Sequence, residues 1–162
     1  MDVDGTLTDG KIYMSAQGEL FKVFDIKDGA GINEILPRLG IVPVIITGRE
    51  SKILENRCNE LGIKELHQNT CDKSGRLSTI LSNWSQKDHV QYEMSDVAYI
   101  GDDIIDLQCM TQIKSQSGIV ACPADAVSCV KKVADYICEQ PGGNGAVREF
   151  IEWLAARKEE MK

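Results

Sequence analysis

The sequence predicts a three-layer α/β fold with a parallel, Rossmann-like sheet, and three observations carry that expectation. Short apolar runs rich in β-branched residues alternate with amphipathic helical patterns from about residue 40 onward. Four chemically loaded segments each fall at the end of such a run or at a helix start, where open parallel sheets place their ligands. The gaps between those segments are short: 44 residues from Asp2 to Thr47, 25 from Thr47 to Lys73 and 28 from Lys73 to Asp102. None has room for a separate cap domain.

Taken along the chain, the Asp-rich segment Asp2-Val3-Asp4-Gly5-Thr6 comes first, as a loop. Residues 11–26 read as a β-hairpin, with Lys11 to Met14 and Glu19 to Ile26 as arms around the turn-like Ser15-Ala16-Gln17-Gly18. Ile32, Ile35, Leu36 and Leu39 recur at helical spacing. Val42 to Ile46 is the clearest strand, and Ile53, Leu54, Cys58 and Leu61 then mark a helix that stops at Gly62. A strand is expected at Glu65 to His67 and a helix carrying Leu77, Ile80, Leu81 and Trp84, opened by Lys73. Val97 to Ile100, Gly118 to Cys122 and Tyr136 to Cys138 read as the remaining strands. After the Gly142-Gly143 break, Asn144 is the expected N-cap of a last helix whose Val147, Phe150, Ile151 and Leu154 share one face. No repeat or linker divides the chain, so residues 1–162 are expected to form one domain, with tail and helix over about 141–157.

Composition narrows the function. The 162 residues carry 18 Lys and Arg against 25 Asp and Glu, a formal charge of −7, and the basic residues are scattered. That pattern argues against nucleic-acid binding. The six cysteines lack C-x-x-C spacing and mostly sit in apolar runs, which suggests buried free thiols in a reducing compartment. His67 and His89 pair with none of them, which argues against zinc. No apolar stretch reaches the roughly 18 residues of a membrane span, and a cytoplasmic protein is expected.

The four segments combine into one chemistry. Asp2 and Asp4 are two carboxylates one residue apart, before a glycine that permits a tight turn. Thr47-Gly48-Arg49 follows the strand at 42–46 and offers a hydroxyl and backbone N–H groups to an anion. Lys73 brings an ammonium suited to a phosphoryl oxygen. Gly101-Asp102-Asp103-Ile104-Ile105-Asp106 supplies oxygen ligands for a hard cation such as Mg²⁺. A phosphate monoester carries about two negative charges, so an anionic nucleophile needs such a cation and such donors to approach it.

On these residues the chain resembles the haloacid dehalogenase (HAD) superfamily of phosphotransferases. Within it, the chain is similar to the 3-deoxy-D-manno-octulosonate 8-phosphate (KDO 8-phosphate) phosphatase family. The resemblance runs from Asp2-Val3-Asp4-Gly5-Thr6-Leu7-Thr8-Asp9-Gly10 through Ile46-Thr47-Gly48-Arg49 and Tyr99-Ile100-Gly101-Asp102-Asp103 to Gly142-Gly143-Asn144-Gly145-Ala146-Val147-Arg148-Glu149. It implies a HAD-like fold in which the hairpin is the flap, Asp2 is the nucleophile and Asp4 the general acid and base. It further implies that Thr47 and Lys73 bind the transferring phosphoryl group and that Asp2, Asp4 and Asp102 hold Mg²⁺. Asp103 and Asp106 would support that shell, and Gly48, Arg49 and Arg148 would contact substrate. Homotetramers whose active sites are bordered by a neighbouring subunit are also implied. Arg148 has a second reading, as an exposed helix residue with Glu152 as its i+4 partner, and Arg49 has one as a support of its loop.

Three alternatives stand beside this. A nonulosonate (KDN or N-acylneuraminate) 9-phosphate shares the carboxylate, hydroxyls and terminal phosphate of the octulosonate. A non-catalytic assembly module, related to domains fused to sialic-acid nucleotidyltransferases, would use the same fold without turnover. A signalling receiver domain also phosphorylates an Asp, but its acidic pair and acceptor lie on different strands, whereas Asp2 and Asp4 share a loop. The family pattern also expects a hydrophobic strand of five or six residues before the nucleophile, where only Met1 stands here. Either the chain begins upstream or most of a central strand is absent, which would lower stability and loosen the loop that aims Asp2. Trp84, Phe150 and Trp153 are expected in core or interface, His67 and His89 at the surface or strand ends, and Lys158, Glu159, Glu160 and Lys162 in a solvated fray.

Overall fold

The computed structural model describes residues 1–160, so Lys162 of the expected fray lies outside the described residues. In chain order the elements are β1 (Tyr13–Ser15), β2 (Gly18–Phe21), α1 (Ile26–Ala30), β3 (Val44–Ile46), α2 (Lys52–Glu60) and β4 (Glu65–His67). They continue with α3 (Lys73–Asp88), β5 (Ala98–Ile100), α4 (Leu107–Ser115), β6 (Ile119–Cys122), α5 (Ser128–Val133), β7 (Tyr136–Ile137) and α6 (Ala146–Glu160).

β3 pairs with β4, β5 with β6 and β6 with β7, all parallel. Met1 and Asp2 join the two halves: Met1 donates to the Val44 carbonyl and accepts from Ile46 N–H, while Asp2 N–H donates to the Ile100 carbonyl. The order across the sheet is therefore β4, β3, the Met1–Asp2 stub, β5, β6, β7. Below the stub, β3 and β5 frame an apolar groove of about 540 Å³ lined by Val44, Leu81, Trp84, Tyr99 and Phe150, away from the Asp-rich loop.

The period-2 alternation of strands decides which layer each side chain enters. Ile45, Ile100 and Ala121 pack with α2, α6 and the segment of Ile32 and Leu36. Their neighbours Ile46, Tyr99, Val120 and Cys122 point the other way, into α3, α4 and α5. The sheet thus buries both faces, as parallel sheets must. Four of the six free cysteines, Cys58, Cys109, Cys122 and Cys138, are buried in these layers.

Several expected elements change shape for local reasons. The strand expected from Val42 starts at Val44, since Pro43 has no N–H to give a ladder and Val42 is exposed. The strands expected from Val97 and Gly118 likewise begin one residue later, and the one expected to reach Cys138 ends at Ile137. The helix expected over Ile32 to Leu39 is instead a π-turn, Gly31–Ile35, followed by a 3₁₀ turn, Pro37–Leu39. Leu36 N–H reaches the Gly31 carbonyl five residues back, and Pro37 cannot continue an i→i−4 ladder. The hairpin exists, but its paired arms are shorter than residues 11–26 and carry a register shift between Tyr13 and Met14. Gly62 takes φ +69 just past α2, as a helix stop should.

Asn144 does not cap α6. Its side-chain amide turns to Gln140, and the helix N-terminus is served by Asp28, whose Oδ1 accepts from Arg148 N–H at 2.7 Å. Ahead of α6, the Gly142-Gly143 turn lies against the Asp-rich loop, with Gly143 N–H donating to the Thr6 carbonyl at 3.0 Å. A Cβ on Gly143 would collide with the Thr8 and Asp9 backbone, so this contact requires glycine.

Candidate active site

All four segments meet at the C-terminal edge of the sheet, because each follows a strand or opens a helix on that edge. Asp2 ends the stub between β3 and β5, Thr47 succeeds β3, Asp102 lies two residues past the end of β5, and Lys73 is the first residue of α3. The Asp-rich loop is wound tightly, with the N–H groups of Thr6, Leu7 and Thr8 all directed to the Val3 carbonyl. Gly5 sits at φ +93 with its Cα against the Asp102 carboxylate, where any side chain would clash. Thr6 Oγ donates to Asp102 Oδ1 at 3.0 Å and ties the two loops together.

The deepest part of the site is a buried charge cluster. Lys73 Nζ lies 2.7 Å from Asp2 Oδ1 and 2.7 Å from Asp106 Oδ1, and all three side chains are nearly inaccessible. The Asp2 contact is an ion pair without hydrogen-bond alignment, and Asp2 Oδ1 is otherwise unpartnered. Burial and then the Asp106 carboxylate push Asp2 up to about 6, against the pull of Lys73. Burial, with Asp2 and Asp106 nearby, pushes Asp102 up to about 7. Burial works against the Lys73 ammonium, yet Asp2 and Asp106 outweigh it and hold its pKa above the ordinary value.

Carboxylate oxygens of Asp2, Asp102 and Asp106 lie within 4.8 Å of one another. With one ammonium among three carboxylates, the fully ionised cluster carries two uncompensated negative charges, which is the charge of a divalent cation. Asp106 is unsuited as its ligand, since both its oxygens are already spent on Lys73, Tyr99 and the N–H groups of Asp102 and Asp103. Asp2 and Asp102 are the oxygens left to hold one. Asp103 is exposed and is not one of these three carboxylates; its Oδ1 accepts from Ile104 N–H at the start of a 3₁₀ turn.

The second part of the site is built by the hairpin expected as the flap, through two residues, Lys22 and Glu19, that no sequence pattern marked. Lys22, just past β2, is buried as a side chain and its ammonium pairs with Asp4 Oδ1 and, at 3.0 Å, with Glu19 Oε1. Glu19 is the hub: it also accepts from Arg49 Nη2 at 3.0 Å and from the Ser51 hydroxyl. These donors hold the Glu19 carboxyl below the usual range despite its partial burial. Arg49 Nη1 is buried, makes no hydrogen bond and points toward Asp4 Oδ1, 4.0 Å away. Thr47 is buried beside it, its backbone N–H bonded to the His67 carbonyl and its own carbonyl to Thr70 N–H, so the Thr47-Gly48-Arg49 loop is locked between β3 and β4. Arg148 stands apart: its Nε donates to Glu152 at 2.6 Å.

A doubly wound sheet with an Asp-x-Asp loop on its central strand, a Thr-Gly-Arg turn, a helix-initial lysine and an acidic loop defines the class of HAD superfamily hydrolases. A structure named for that superfamily (subfamily III A), from Legionella pneumophila, aligns with a TM-score of 0.86 at 30% identity, covering 98% of this chain and 81% of that one. The 3-deoxy-D-manno-octulosonate 8-phosphate phosphatase KdsC of Yersinia pestis is 38% identical over 161 residues, covering 99% of this chain and 80% of the relative. The Moraxella catarrhalis 3-deoxy-D-manno-octulosonate 8-phosphate phosphatase, solved with a magnesium ion, a phosphate ion and KDO, aligns with a TM-score of 0.82 at 38% identity, covering 96% of this chain and 83% of that one. No protein-family model matches the chain. The chain belongs to the 3-deoxy-D-manno-octulosonate 8-phosphate phosphatase family.

Proposed function

We propose that this chain, as a single hydrolase domain, removes the phosphate of KDO 8-phosphate through a phosphoryl-aspartate on Asp2, with Mg²⁺ as cofactor. The observation that carries the reading is the buried Asp2–Lys73 ion pair at 2.7 Å beside the Asp102 carboxylate, a nucleophile, a cation and a further oxygen ligand within one small volume. Asp2, the Asp4 carbonyl and Asp102 would hold Mg²⁺, which when bound neutralises the repulsion between Asp2 and the phosphate. Its presence with phosphate and KDO in the Moraxella relative supports that assignment.

Asp2 attacks phosphorus and forms an acyl phosphate as the ester oxygen departs. Asp4, partly open to solvent and two residues on in the same loop, protonates that oxygen and then takes a proton from the water that hydrolyses the intermediate. Thr47 and Lys73 receive the phosphoryl oxygens, while Asp106 and Asp103 keep the Asp102 loop in place. The sugar acid lies on the hairpin side, where the unspent Nη1 of Arg49 faces Asp4 and Gly48 leaves room for it.

Assembly belongs to the same reading. The hairpin region exposes Ile12, Met14, Leu20, Phe21, Val23 and Ile26, an apolar set a monomer would not display, which supports packing of hairpins in a homotetramer. Arg148 would then act at a neighbouring subunit's site. A cytoplasmic location accords with the free cysteines and with the lack, among the described residues, of a helix long and apolar enough to cross a membrane.

The test is phosphate release from KDO 8-phosphate and from nonulosonate 9-phosphates, with and without Mg²⁺. A kcat/KM at least tenfold higher for the octulosonate supports the reading. Preference for a nine-carbon acid would move the substrate, and no turnover on either would leave the assembly module.

A further inference from the structure

We propose that the buried phenol of Tyr99 is a positioning residue for catalysis: by donating to Asp106 it sets how Lys73 divides its charge between Asp106 and Asp2. The inference rests on the roles of Asp2 and Lys73 given above. Tyr99 is the middle residue of β5, and strand alternation sends its ring into the layer of Leu77, Ile80, Met110 and Ile113. On packing grounds a phenylalanine would serve there. A hydroxyl buried in such surroundings is costly unless it is bonded, and Tyr99 is 2% exposed.

Its partner is Asp106 Oδ1, at 2.7 Å. That oxygen also receives Lys73 Nζ at 2.7 Å, while Oδ2 receives the N–H groups of Asp102 at 3.1 Å and Asp103 at 3.2 Å. A carboxylate has about four acceptor positions, so Asp106 is saturated. No space is left around it either, since a Cβ on Gly101 would collide with its carboxyl group. One side chain therefore fixes both the ammonium that faces the nucleophile and the backbone of the acidic loop.

Lys73 stands between two carboxylates at equal distance, and the one with more charge at its oxygen holds it harder. The hydrogen bond from Tyr99 draws charge from the very Asp106 oxygen that Lys73 contacts. This weakens the Asp106 hold and leaves the ammonium available to Asp2 and to a phosphoryl group. Without it, Lys73 is drawn toward Asp106 and out of the reaction. Tyr99 touches neither substrate nor metal in this account; it acts through Asp106 alone.

Tyr99→Phe deletes one oxygen and keeps the ring packing. In the full chain with Mg²⁺ and KDO 8-phosphate, kcat is expected to fall about tenfold with KM within about twofold, the scale on which outer-shell hydrogen bonds act. A hydrogen bond that serves stability alone would lower Tm and leave the kcat of the folded fraction at the parental value, and that result overturns the proposal. Stability supplies a second reading. Tyr99→Phe should lower Tm in the parent but raise it in an Asp106→Ala background, where the hydroxyl has lost its acceptor. An equal decrement in both backgrounds would also overturn the coupling. If the parent releases no phosphate from any sugar phosphate, the functional reading falls, while the Tm cycle still decides whether Tyr99 and Asp106 are coupled.

Discussion

The two halves of the site are held by opposite means. On the sheet side, Asp2, Lys73, Asp106 and Tyr99 are buried, and the two linking groups, Lys73 and Asp106, have fixed partners in strands and helices of the same core. On the hairpin side, Asp4, Lys22, Glu19 and Arg49 form a network that is partly open to water, and Lys22 and Glu19 come from a hairpin bound to the rest mainly through that network. The difference teaches a division of labour. Charges that must be placed before substrate arrives are set in a medium that cannot reorganise. Charges that, in the proposed reaction, make way for a sugar acid are paired where water can replace a lost partner.

Breaking the sheet side should cost most. Asp2→Asn removes the proposed nucleophile, and phosphate release by the folded protein should drop by roughly a thousandfold or more. Lys73→Met comes next, because it leaves Asp2 and Asp106 buried without a counter-charge; denaturant titration should show a loss of about 3–5 kcal/mol besides the loss of turnover.

The carboxylate crowding gives a pH signature. Asp2 at about 6 and Asp102 at about 7 both lie above their ordinary value, so the folded state holds these protons more tightly than the unfolded chain does. Their contribution to stability is complete below about pH 4 and is lost as the pH rises through 6 to 7. In a chelator, Tm should therefore decline between pH 5.5 and pH 8, and Mg²⁺ should flatten that decline. A metal-independent slope would argue that no cation enters the cluster. The smallest effect is expected on the hairpin side, where Glu19→Gln should raise KM a few-fold, leave kcat nearly constant and cost about 1 kcal/mol or less.

What could be read in the sequence follows the same divide. Thr47, Lys73 and Asp102 were legible because each stands near the end of a strand or at the start of a helix that hydrophobic periodicity marks, and Asp2 and Asp4 because two carboxylates one residue apart precede a turn glycine. Lys22 was not, since its partner Asp4 lies 18 residues away and only the fold of the hairpin brings them together. Tyr99 looked like any strand aromatic, and its hydroxyl acquires meaning only from Asp106. The stretch from Ile32 to Leu39 shows the reverse error, where helical spacing was genuine but Pro37 overrode it. Asn144 had the right chemistry for a cap and lost the position to a carboxylate from the other end of the chain.

That carboxylate, Asp28, sits 120 positions before the N–H it accepts from. The first turn of the last helix is thus clasped by a side chain from near the start of the chain, and the same helix is preceded by the Gly142-Gly143 turn that backs the Asp-rich loop. Loosening the clasp would reach that loop through its glycine backing.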